Sequence, residues 1–143
     1  MKEQNYKNHT RLVTGYHGVT GLLISGFLVG SIITFVHAHD KVVKHAAMIM
    51  IVGAIGMIGL FWYARVFALK AQDRAIRAEE NFRHYILTGK PFDKQIRLGQ
   101  IIALRFASDE EFPALAKKAV EEKLTSKQIK QAIQNWRGDY HRV

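Results

Sequence analysis

Three histidines and an aspartate fall within nine residues in "HAHDKVVKH", residues 37–45. His37, His39, Asp40 and His45 are all metal-ligand types, and a neutral imidazole binds Zn, Cu or Ni. Yet the H-x-H-D order with one distant histidine lacks the ligand spacing of a structural zinc motif. Histidine also titrates near neutrality, so the same cluster could sense pH. A plainer role is a polar turn that wets a membrane surface. The four residues are candidate metal ligands, and the elements on either side of them decide among these roles.

Other chemistry has less to build on. The chain has no cysteine, which excludes disulfides, thiolate zinc sites and cysteine nucleophiles. It carries no phosphate loop, no H-E-x-x-H and no serine in a nucleophile elbow. Asp109, Glu110 and Glu111 form a carboxylate cluster. They stand where acids favour a helix start, and Ser108 with Glu111 has capping-box spacing. No catalytic or cofactor-binding residue is assigned, and the chain reads as non-enzymatic.

The flanking elements are apolar. No Lys, Arg, Asp or Glu occurs between Arg11 and Asp40, or between Lys44 and Arg65. Two runs follow, residues 15–36 and 45–64, each about 20 residues and long enough as a helix to cross a ~30 Å hydrocarbon core. The mean hydropathy of -0.07 averages these runs with a highly charged remainder. A cleaved signal peptide would have a shorter apolar core and no second run close behind it. "HAHDKVVKH" therefore becomes the turn of a membrane hairpin.

Charge orients that hairpin. The net charge is +9, and 16 basic and 10 acidic residues lie from Arg65 onward. Lys2, Lys7 and Arg11 precede the first run, and Arg65, Lys70, Arg74 and Arg77 follow the second. The turn has only Lys41 and Lys44. The positive-inside rule then puts both termini in the cytoplasm. Tyr16, Trp62, Tyr63 and Phe67 suit the membrane edges. Arg65, Lys70, Arg74 and Arg77 are also placed to meet anionic lipid.

Glycine marks both runs. Gly26 and Gly30 form G-x-x-x-G, and Gly53, Gly56 and Gly59 recur every three residues. Small residues let helix backbones approach closely in lipid, within the hairpin or between copies. Ser25, Ser31, Thr20 and Thr34 are sparse lining for an ion path, which needs polar groups or carbonyl filters.

No Pro or Gly interrupts residues 64–88, so the second run continues as one helix. Asp73/Arg77 and Glu79/Arg83 have favourable i,i+4 order. Ala64, Ala68, Ala71, Ala75, Ala78, Phe82 and Tyr85 are spaced 4, 3, 4, 3, 4, 3, a heptad coiled-coil rhythm. That seam is either a tight oligomer stalk or a face covered by the C-terminal helices. Gly89 and Pro91 stop the helix.

Three short helices are expected next. The first covers residues 94–106, with Leu98, Ile101, Ile102 and Phe106 on one face. The second starts at Ser108, with Phe112, Leu115, Ala116, Ala119 and Val120 inward and Pro113 tolerated near its start. The third starts at Thr125 or Ser126, with Gln128 completing a capping box, and runs to Gly138 with Ile129, Ala132, Ile133 and Trp136 inward. Arg105 is placed to snorkel or to pair with an acid. The turn at Leu124 and Thr125 loosely has a helix-turn-helix layout. It would expose Lys127, Gln128, Lys130, Gln131, Gln134, Asn135 and Arg137 to nucleic acid.

The opening "EQNYKNHTR" and the ordered string "IIALRFASDEEFPALAKKAVEEKLTSKQIKQAIQNWRGDYHRV" together resemble a family of short two-span bacterial membrane proteins of Bacteroidetes type and unknown function. The resemblance covers essentially the whole chain. It implies a two-span bacterial membrane protein and transfers no site residues.

The expected class is all-α. A cytoplasmic tail (1–14) precedes a transmembrane hairpin (15–69) with its outer turn near 38–44. A cytoplasmic helical extension (70–90) and a basic helical domain (91–143) complete the chain. The expected role is that of a multi-pass inner-membrane scaffold or accessory subunit. Its partners are the bilayer and either itself, as a homo-oligomer, or a larger membrane complex. Two alternatives are a small oligomeric channel or transporter component and a membrane-tethered nucleic-acid binder.

Overall fold

The computed structural model describes residues 4–9 and 12–140. The flanking charges of Lys2, Glu3 and Arg11 lie outside the described residues. Among those described, the chain is all-helical. A π-helical segment, Gly15–Thr20, leads directly into α1 (Gly21–His37). Then come α2 (Lys41–Thr88), α3 (Leu98–Leu104), α4 (Phe112–Glu121) and α5 (Ser126–Ala132). A lone antiparallel bridge joins Ala107 and Trp136. The chain divides into two compact units, Leu12–Ala68 and Met1–Arg11 with Leu69–Val143.

The Leu12–Ala68 unit is a helical hairpin. Both long helices are apolar and long enough to cross a membrane. The turn between them is only residues 38–40, shorter than expected. Asp40 starts α2 by accepting from the amides of Val42 (2.8 Å) and Val43 (3.0 Å). This local cap satisfies otherwise orphaned donors, so Lys41 can already be helical.

At the other end of the hairpin, Tyr16 stacks on Phe61 with ring centroids 4.4 Å apart and donates its hydroxyl to the Phe61 carbonyl. Ser31, Ala47 and Ala54 are buried in this unit. Ser25, Ser31 and Thr34 each donate to the carbonyl four residues back, at 2.8, 2.7 and 2.9 Å. Their polarity is satisfied inside α1, which suits an apolar surround.

The other unit has a packed core. Leu104, Phe106, Phe112 and Ile129 are fully buried, joined by Ala103, Ala107, Leu115, Ala116 and Ala119. Phe92, Ile96, Leu124 and Ile133 pack around that cluster. Gly89 ends α2 at φ +71°, and its amide donates to the Tyr85 carbonyl at 2.8 Å. A residue with a Cβ is strained in that conformation, so glycine fits the stop.

The three short helices keep their expected order but are trimmed, and of the residues expected inward Leu98 and Ala132 are exposed. Asp93 turns the chain by accepting from the Gln95 amide (2.7 Å), and Arg97 is extended, so α3 begins at Leu98 rather than at 94. The Ser108–Glu111 stretch is a turn, and α4 begins at Phe112. The third helix stops at Ala132, because Ile133 is extended. From there the backbone pairs with residues 106–108: Arg137 donates to Phe106 (2.7 Å) and Ser108 to Asn135 (3.1 Å). The capping box at Thr125 and Gln128 is present as read.

Candidate functional site

The histidine-rich turn is not a metal centre in this structure. Among the described residues no three His, Asp or Glu side chains gather as a ligand set. His37 ends α1 with its Nδ1 on the Ile33 carbonyl at 2.9 Å. Asp40 caps α2, and His45 lies within that helix. His39 and Asp40 share the three-residue turn, with His37 and His45 on the helices either side, and the four do not form a group of three or more ligands in this structure.

The most elaborated polar site lies in the unit built on α3–α5, and part of it comes from the opposite end of the chain. Residues 4–9, expected as a tail, belong to that unit. Gln4 and Asp139 are doubly joined: the Asp139 amide donates to Gln4 Oε1 (2.7 Å), and Gln4 Nε2 donates to the Asp139 carbonyl (3.3 Å). His9 packs against Phe106 and Trp136, at centroid separations of 5.7 and 5.8 Å, and Phe106 stacks on Trp136 at 4.6 Å. The His9 Nδ1 lies 2.7 Å from the Tyr6 carbonyl and its Nε2 lies 3.0 Å from Lys130 Nζ. A neutral ring that donates through Nδ1 and accepts the lysine proton at Nε2 satisfies both contacts.

Arg83 is the second focus. It donates to Asp109 (2.7 Å), Glu80 (3.0 Å) and the Ala107 carbonyl (2.7 Å), and its guanidinium lies 4.2 Å from the Phe112 ring centroid. The expected Glu79–Arg83 pair does not form, because Arg83 turns toward Glu80 and Asp109. Asp73 and Arg77 form no ion pair among the described residues. Arg105 is buried, lies 3.1 Å from Asp139 and sits over the Phe106 ring at 4.5 Å. The reading of Arg105 as a residue that pairs with an acid matches this geometry.

The acidic cluster is used more widely than capping alone requires. Asp109 meets Arg83. Glu111 accepts from the amides of Ser108 (3.3 Å), Gln134 (3.1 Å) and Asn135 (3.1 Å), tying the start of α4 to the segment after α5. The Ser108 hydroxyl, then the residue's own backbone amide, hold the Glu110 carboxyl below the usual carboxylate range. Gln100 is buried, and its Nε2 donates to the carbonyls of Ala119 (2.8 Å) and Leu124 (3.0 Å). Sequence reading missed the roles of Gln4, Tyr6, His9 and Gln100, and for Glu111 it found the bond back to Ser108 but not those to Gln134 and Asn135. The available signal was that both chain ends carried the distinctive strings "QNYKNH" and "QNWRGDYHRV".

The predicted nucleic-acid face is broken up. Since α5 ends at Ala132, Gln134, Asn135 and Arg137 do not continue its surface, and Lys130 is engaged by His9.

Two predicted packing faces are open. A Cβ added at Gly26, Gly30, Gly53, Gly56 or Gly59 would meet nothing within 4 Å. The hairpin buries Ser31, Ala47 and Ala54 instead, so its own packing does not use the glycines. On α2, the C-terminal helices cover Ile76, Glu80 and Arg83, and not the alanine seam. Ala71, Ala75, Ala78, Phe82 and Tyr85 are all exposed, Phe82 at 66% and Tyr85 at 52%. Of the residues expected at lipid, Lys70, Arg74 and Arg77 are exposed and Arg65 is half-buried.

A family model described as a family of unknown function, DUF6526, matches residues 1–143. The chain belongs to that family. Comparison with curated proteins and with solved structures gives no match. The match spans every element of this DUF6526 chain, so the segment 4–9 and the helices it packs on fall within one family unit.

Proposed function

We propose that this DUF6526 chain is a bacterial inner-membrane scaffold or accessory subunit, non-enzymatic and self-associating, with both termini in the cytoplasm. The observation that carries the reading is the joining of residues 4–9 to the helices that follow α2. Two candidate spans separate those partners in sequence. If both spans cross the bilayer, an even number of crossings returns the chain to the side it left, as the joined ends require. The basic flanks then favour the cytoplasmic side.

The protein so placed offers apolar surface rather than a reaction centre. The open glycines give other helices close approach within the bilayer. The α2 seam does the same outside it. Arg65, Lys70, Arg74 and Arg77 lie where anionic headgroups can be met.

A native mass measurement of the full chain in mild detergent tests this reading. Two or more copies per particle is the expected result, or copies together with a stably bound membrane partner. A clean monomer without partner overturns it.

A further inference from the structure

The exposed side of α2 carries a pattern that selects its occupant. At about 100° per residue, Ile76, Glu80 and Arg83 lie on one side of the helix, and Ala71, Ala75, Ala78, Phe82 and Tyr85 lie roughly opposite. The first set is covered by the unit's own core. The second is open, and Ile86 beside it is 65% exposed. The seam alternates steps of four and three, so it makes a straight apolar stripe suited to a partner helix with the same repeat. Small side chains at 71, 75 and 78 allow close approach, while Phe82 and Tyr85 supply apolar area.

The flanking charges discriminate among partners. With Ala75 and Phe82 at a positions and Ala71, Ala78 and Tyr85 at d positions, Arg74 is a g residue and Glu79 an e residue. In a parallel in-register pair, each g side chain faces the e side chain five residues further along the other helix. Arg74 of one copy therefore meets Glu79 of the other, twice per dimer by symmetry. An antiparallel pairing matches g with g and e with e, and loses that complementarity. Among the described residues neither Arg74 nor Glu79 has an ion-pair partner within its own chain. Arg83, the expected partner of Glu79, is held elsewhere.

We propose that the 71–85 face of α2 is a parallel, in-register docking surface for a second copy of this chain, keyed by reciprocal Arg74–Glu79 pairs. This rests on the self-associating membrane reading above, since two copies inserted alike in one bilayer present α2 in the same direction.

The test uses the full-length chain in membranes, which has no native cysteine. Ala78→Cys places a thiol at a d position, and Arg77→Cys places one off the seam. Mild oxidation should yield disulfide-linked dimer for the first and at least about tenfold less for the second. In the Ala78→Cys background, Arg74→Glu or Glu79→Arg alone should reduce the linked fraction by about tenfold, through like charges brought together. The double exchange should restore it. Both sites are exposed, so folding is not at stake, and the rescue checks this directly.

A multimeric mass without Ala78→Cys cross-linking overturns this surface but leaves self-association standing. A multimeric mass with charge exchanges that change nothing does the same. A monomeric mass overturns both. Cross-linking to a different protein in place of a second copy also overturns the proposal.

Discussion

In the unit around α3–α5, Leu104, Phe106, Phe112 and Ile129 are completely covered within one chain. In the hairpin unit the buried residues are Ser31, Ala47 and Ala54, while Leu22, Leu23, Val52, Leu60 and Trp62 are each two-thirds exposed or close to it. Around α3–α5 the first unit hides large side chains and ties polar ones, and its large apolar side chains stay open mainly along α2, at Phe82, Tyr85 and Ile86. The second hides small side chains and leaves its large ones open. A helix hydrophobic nearly all round needs an apolar surround that the chain itself does not supply. The contrast separates what this protein covers alone from what it leaves open, which is the surface the proposed function assigns to lipid and to a second copy.

That comparison can be broken at its strongest point first. Phe112→Ala removes a fully buried ring that also supports Arg83, and should cost about 4 kcal/mol of stability in the α3–α5 unit. Urea unfolding followed by Trp136 fluorescence, in a Trp62→Phe background, reads this. A change under about 1 kcal/mol would show that the core is not packed as described. Arg83→Met comes next. It leaves Glu80 buried without its partner and should cost about 3 kcal/mol in the same assay.

Smaller effects sharpen the comparison. His9→Ala should cost about 1 kcal/mol, from the lost ring contacts to Tyr6, Phe106 and Trp136 and two polar contacts. Hydrogen exchange should speed up at residues 4–9 and leave α4 unchanged. Gly56→Ala should change hairpin stability by less than about 0.5 kcal/mol in a dilute monomer, because the added methyl meets nothing in its own chain. Thermal unfolding by circular dichroism in excess detergent measures it. A large loss there would mean that the hairpin closes on its glycines after all.

Much of this architecture was legible because strong, long-range patterns encode it. The two uncharged runs, the uninterrupted residues 64–88, the Gly89 stop and the Thr125 cap each rest on local physics with little competition. Helix ends after residue 90 were less legible. Asp93, Glu111 and the extended backbone from Ile133 take part in turns and in pairs between segments distant in sequence, and periodicity does not register those. The Arg83 pairing failed for a related reason. An i,i+4 rule sees only the helix surface, whereas tertiary packing offered Asp109, Glu80 and the Phe112 ring together. The docking of residues 4–9 depends on contacts across more than a hundred residues, and no local pattern carries such contacts. For the histidine turn, composition suggested a ligand set, but composition does not encode side-chain placement, and no group of three gathers there among the described residues.

The proposed topology puts residues 4–9 and the α3–α5 unit on one side of a membrane and the histidine turn on the other. The absence of cysteine makes a direct measurement possible. Single variants Lys7→Cys, Lys118→Cys and His39→Cys would be labelled with a membrane-impermeant maleimide in right-side-out and inverted bacterial membrane vesicles. The account predicts that positions 7 and 118 react only in inverted vesicles and position 39 only in right-side-out ones. Labelling of 39 from the same side as 118, or of 7 and 118 from opposite sides, would contradict it.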